Sequence, residues 1–125
     1  MQSQKLQNIV VFCYNYDIVF MKAQLILRKK KTLPLKFGGS VTIFMDCYQI
    51  NKVELGFDAA YRFSLIAYDP LRPERRVLID QHVDKPCHLH IEDREFEIES
   101  PATLDALIEL FQLEVVKYFG EAEEA

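Results

Sequence analysis

The chain has three histidines, His82, His88 and His90, and all fall within nine residues. Imidazole titrates near neutral pH, so such a group can both take and give a proton. In an extended strand, residues two apart share a face. His88 and His90 therefore project together, while Leu89 and Ile91 turn to the core side. His82 shares a face with Asp80, and the Asp84-Lys85-Pro86 break returns the chain so that the two segments meet. Three interpretations fit this spacing. One is an acid–base site, with one histidine as base, the other as acid and Asp80 nearby. The second is a metal site using the three histidines with Asp80 or Cys87. The third is an exposed polar strand face without chemistry. Acid–base cleavage of a phosphodiester also needs a cation to hold developing negative charge; Arg62, Arg75, Arg76, Arg94 and Lys85 are the candidates. A Cys87–His88 nucleophile is disfavoured, because neighbours in a strand face opposite ways.

These side chains must be carried by strands. Val41 to Ile50 alternates with period two, and so does Tyr61 to Tyr68, where Tyr61, Phe63, Leu65 and Ala67 share one face. Residues 61–83 read as a β-hairpin whose loop, around Asp69-Pro70 and Pro73, has about six residues. His88 to Glu92 forms a short strand, and Phe96 to Ile98 continues it after a kink. Ala23 to Lys29 is a strand that runs into the basic cluster Arg28 to Lys31, with Pro34 as its stop and Gly38-Gly39 as a turn. Arg28 and Lys30 are candidates for RNA phosphates, or else the lysines of this run protect an exposed edge strand against aggregation.

At the C-terminus, Leu104, Leu107, Ile108, Phe111, Val115 and Phe119 recur at helical spacing. Ser100 is the expected N-cap, Pro101 the first helical residue and Gly120 the stop. The expected fold is α+β, a single domain. A mostly antiparallel sheet of four to six strands carries one C-terminal amphipathic helix on one face. Residues 1–20 are an extension or extra strand, 21–120 the domain and 121–125 an acidic tail.

Composition narrows the function. The chain has 125 residues, 50% of them hydrophobic and 27% charged, an ordinary globular composition. No apolar run approaches the roughly 18–20 residues of a membrane helix, so no membrane association is expected. A net charge of −4 excludes nucleic-acid binding by bulk charge but leaves room for a local basic patch. Cys13, Cys47 and Cys87 contain no CxxC pair and suggest a reducing compartment. The first residues lack a signal-peptide pattern, so a cytoplasmic location is expected.

Three segments together resemble a known family: MKAQLILRKKKTL (Met21 to Leu33), AYRFSLIAYD (Ala60 to Asp69) and RRVLIDQHVDKPCHLHIEDREFEI (Arg75 to Ile98). They are similar to the TumE-type toxin family, small bacterial proteins encoded beside a helix-turn-helix antitoxin. Arg62 matches that family's Tyr-Arg strand, Asp80 its Asp-Asn aspartate, and Lys85 the lysine between two glycines. His88 and His90 match its His-x-His, and Arg94 lies in the charged stretch after it. Gln81, Asp84, Pro86 and Cys87 depart from the pattern. The resemblance implies a toxin that acts as a metal-independent endoribonuclease, cutting RNA through the 2′-hydroxyl without a cofactor. It implies His88 and His90 as the acid–base pair, Asp80 as the orienting carboxylate, Arg62 or Lys85 on the phosphate and Arg94 along the substrate, which the basic run with Arg28 and Lys30 would extend. The implied partners are RNA and the antitoxin protein, with a homodimer as a further expectation. The competing expectations are a non-catalytic module that docks a DNA-binding partner, and a small histidine-rich metal-binding protein.

Overall fold

Alternating segments that follow one another along the chain pair with the strands before and after them. The structure, a computed structural model, describes residues 7–14, 17–50, 60–81 and 86–123. Within them lie seven strands: β1 (Gln7–Tyr14), β2 (Asp17–Pro34), β3 (Ser40–Ile50), β4 (Ala60–Asp69), β5 (Arg72–Gln81), β6 (Cys87–Ile91) and β7 (Arg94–Ile98). They form one sheet in chain order, and every neighbouring pair is antiparallel. A single helix, α1 (Leu104–Phe119), follows. The α+β class, the antiparallel sheet and the C-terminal helix are those expected from the sequence. The sheet has seven strands because Gln7–Tyr14 pairs along the first half of β2, and because Arg94–Ile98 is a strand in its own right.

The turns account for the remaining differences. Pro70 and Leu71 alone join β4 to β5, since the Asp69 carboxylate accepts from the Leu71 N–H at 2.9 Å and closes the turn tightly. The ladder slips just after it, between Tyr68 and Asp69, and Pro73, which has no N–H to give, sits in that irregular stretch. Glu92 and Asp93 reverse the chain between β6 and β7, so Phe96 to Ile98 lies beside the histidine strand and does not extend it. Gly38 and Gly39 take positive φ (110° and 78°) in the β2–β3 turn, where a side chain would be strained. The helix is capped by Thr103, whose hydroxyl accepts from the Ala106 N–H at 3.1 Å. Ser100, the expected cap, donates its hydroxyl to Gln81 at 2.7 Å instead. Gly120 ends the helix at φ 86°.

The helix lays Leu107, Phe111 and Val115 on Val41, Cys47, Phe63, Leu65, Ala67, Ile79 and Cys87. Removing this apolar surface from water, at roughly 25 cal/mol per Å², is the main force holding the helix to the sheet. Cys47 and Cys87 are fully buried there, and burial pushes both thiols up to about 11. The thiolate is the reactive form. At pH 8, iodoacetamide should therefore label Cys47 and Cys87 only as fast as the chain unfolds, which peptide mass spectrometry resolves. Labelling of Cys87 at the rate of a free thiol in native buffer would show the packing to be wrong.

Candidate functional site

Antiparallel pairing fixes which side chains meet across the sheet. Asp80 on β5 stands opposite His88 on β6, and Leu78 stands opposite His90. On β7, Glu97 stands opposite His88 and Glu95 opposite His90. On β4, Ser64 stands opposite Asp80 and Ile66 opposite Leu78. All of these occupy the face away from the helix, because Val77, Ile79 and Cys87, which alternate with them, are buried beneath it.

On that face the His90 Nε2 lies 3.3 Å from the Asp80 Oδ1, and both side chains are largely shielded, 20% and 15% exposed. The two imidazole centroids are 6.1 Å apart with their planes at 61°. One oxygen of Glu95 lies 3.7 Å from the His90 Nε2 and 3.9 Å from the His88 Nδ1. Both rings thus address the same anionic oxygen, which sits on a side chain that is 57% exposed.

The hairpin carrying His88, His90 and Glu95 is tied down at its turn. Glu92 adopts φ 58°, unusual for a side-chain-bearing residue. Its N–H donates to the Arg76 carbonyl at 2.9 Å, and its own carbonyl accepts from the Arg76 Nε at 3.3 Å. The Tyr118 hydroxyl, from the last turn of α1, donates to the Glu92 carboxylate. The Arg75 guanidinium lies 5.7 Å above the Tyr118 ring. Burial, and then the bond to Glu92, raises the pKa of the Tyr118 hydroxyl, so it stays protonated as a donor. The Tyr118–Glu92 bond thus ties the last turn of the helix to the turn of the histidine hairpin, in addition to the packing through Cys87.

The structure brings Asp80, His88 and His90 together. Arg62 shares their face, opposite Tyr48 and two residues along β4 from Ser64. Arg28 and Lys30 also share it, on β2, at three strand spacings of about 4.8 Å from β5. Arg28 donates to the Asp46 carboxylate at 3.2 Å and to the Tyr48 hydroxyl at 2.6 Å; the Asp46 bond raises its pKa. The register does not bring Arg94 to the histidines. It stands opposite Ile91, on the helix side. Lys85 and His82 lie outside the described residues. Glu95 and Glu97 join the cluster without having been singled out as functional. A two-residue turn at Glu92-Asp93 would have placed both by counting back along the hairpin.

Among the described residues, no three histidine, cysteine, aspartate or glutamate side chains are grouped so as to hold a metal ion. Among the same residues, no helix is long and apolar enough to cross a membrane. Fold and site define an α+β domain with a histidine–carboxylate cluster on the sheet face away from the helix. No family model matches the chain, and no curated protein and no solved structure matches it either.

Proposed function

We propose that the chain is a toxin-like endoribonuclease, with His90 and His88 as its acid–base pair and a DNA-binding antitoxin as its partner. The observation that carries this reading is that both imidazoles converge on one anionic oxygen, while one of them is held by a largely shielded carboxylate. A phosphate oxygen can take the place of that carboxylate oxygen, because Glu95 is exposed and its long side chain can swing aside. His90, whose Nε2–H is held by Asp80, takes the proton of the 2′-hydroxyl on its Nδ1. That oxygen attacks the adjacent phosphorus, and His88 in its protonated form gives a proton to the departing 5′-oxygen. The products are a 2′,3′-cyclic phosphate and a free 5′-hydroxyl. Arg62, on the same face, is the cation for the phosphate charge. The sequence resemblance to TumE-type toxins points the same way and supplies the antitoxin.

The test is induced expression of the parent chain beside a His88→Ala, His90→Ala double variant of equal soluble abundance. The parent should arrest growth, and RNA from arrested cells should carry new 5′-hydroxyl ends; the variant should do neither. Arrest by both proteins would assign toxicity to binding and remove the histidines from the mechanism. Arrest by neither would sink the toxin assignment in that host.

A further inference from the structure

We propose that the sheet face opposite the helix is a platform for single-stranded RNA, on which Phe44 stacks against a base and Lys30 holds a neighbouring phosphate. This rests on the ribonuclease reading, and it specifies the substrate as unpaired RNA entering from the β2 side.

One unbroken cross-strand row runs Lys30, Phe44, Ile66, Leu78, His90. It links a basic strand to the histidines through an aromatic residue and two aliphatic ones. Phe44 is 37% exposed, a large aromatic ring turned to solvent on a sheet surface. Such rings stack on any base, because every base has a π-face. Tyr48 lies on the same face, but the Arg28 guanidinium already sits 5.9 Å above its ring and binds its hydroxyl. Phe44 stands between Lys30 and Ile66 in the row, whereas Tyr68, another ring of this face, stands between Thr42 and Arg76. Charge is spread unevenly across the face: Asp46 pairs with Arg28 near β2, and Arg62 and Arg76 lie on β4 and β5. The cations Arg28 and Lys30 are at the β2 end, and the carboxylates Asp80, Glu95 and Glu97 are at the far end. An acidic chain can therefore still hold a polyanion by its basic end, with only the scissile phosphate reaching the carboxylate-rich end. A duplex offers no splayed base to Phe44, because its bases are stacked and paired inside the helix.

The test uses a fluorescein-labelled 2′-O-methyl oligouridylate, which binds but lacks the 2′-hydroxyl needed for cleavage. Its affinity should fall roughly tenfold in Phe44→Ala and stay near the parent value in Phe44→Tyr, which keeps the ring. Lys30→Ala should lower the slope of log affinity against log salt by roughly 0.7. A blunt duplex of the same sequence length should compete poorly. The platform is overturned if the parent does not bind the oligonucleotide, if Phe44→Ala binds as tightly as the parent, or if the duplex competes equally. It is also overturned if Phe44→Ala abolishes self-association in sedimentation and leaves RNA binding intact, because the face is then an interface between copies. The two readings fail separately. Ring-dependent binding without cleavage of ordinary RNA removes the ribonuclease, whereas cleavage indifferent to Phe44→Ala removes the platform.

Discussion

Phe111→Ala is expected to lower stability by about 3–5 kcal/mol, the largest effect of any single truncation among the described residues. The ring is 1% exposed and is the largest fully buried side chain among the described residues, seated between Leu107 and Val115 on the sheet-facing stripe of the helix. Truncation removes apolar burial and leaves a void. One edge of the ring borders a groove of about 330 Å³, lined also by Leu33, Leu35, Val41 and Ile43. Part of the new space would therefore join that groove, which puts the loss toward the lower end of the range. Domains of this size hold only about 5–15 kcal/mol in total, so the variant should be marginal at 37 °C. Urea titration followed by far-ultraviolet circular dichroism measures it, as a lower midpoint at an unchanged slope. Leu113→Ala is the control. It lies on the same helix but is 54% exposed, and its midpoint should move by no more than about 0.5 kcal/mol equivalent. Equal shifts in the two variants would mean that the helix does not pack through the Leu107–Phe111–Val115 stripe.

That stripe was readable in the sequence because one face of an amphipathic helix must repeat every three to four residues, whatever it packs on. The start of the helix was not. Ser100-Pro101 and Thr103 offer nearly the same local capping chemistry, and the choice is made by Gln81, nineteen residues earlier, which takes the Ser100 hydroxyl. The strands follow the same rule. Phe63, Leu65 and Ala67 are buried as their alternation requires, since period two needs no knowledge of the partner. The β6–β7 reversal at Glu92-Asp93 has no glycine or asparagine to announce it. Its positive φ is held by Arg76 and Tyr118, from distant parts of the chain.

The candidate site divides along the same line. That His88 and His90 share a face follows from their spacing alone. Their apposition to Asp80 follows once β5 and β6 pair in the observed register. Glu95 and Glu97 needed the unannounced turn, and so did the exclusion of Arg94. A turn of two residues puts Glu95 opposite His90 and sends Arg94, one position earlier, to the other side of the sheet. Periodicity is a local property and survives in the sequence. Register is set by contacts between segments, and only the folded chain displays it.

Asp80→Asn is expected to slow RNA cleavage by about 10²- to 10⁴-fold on the ribonuclease reading, a larger effect than the small change in side-chain volume suggests. The aspartate accepts from the His90 Nε2, 3.3 Å away, and so places the basic lone pair of the neutral ring on Nδ1. An asparagine amide in its place can donate to Nε2 and turn the ring to the wrong tautomer. His90→Ala should be as damaging, because the base itself is gone. The decisive measurement is the double variant, assayed as initial cleavage rates beside both single variants, with unfolding midpoints measured in parallel to separate chemistry from stability. Groups that act as a unit give grossly non-additive losses, so the double variant should be no slower than the worse single one. If the two losses multiply instead, Asp80 and His90 contribute independently, and the carboxylate does not orient the base. If Asp80→Asn cleaves at the parent rate, the base is elsewhere, and His88 with Glu95 becomes the pair to dissect.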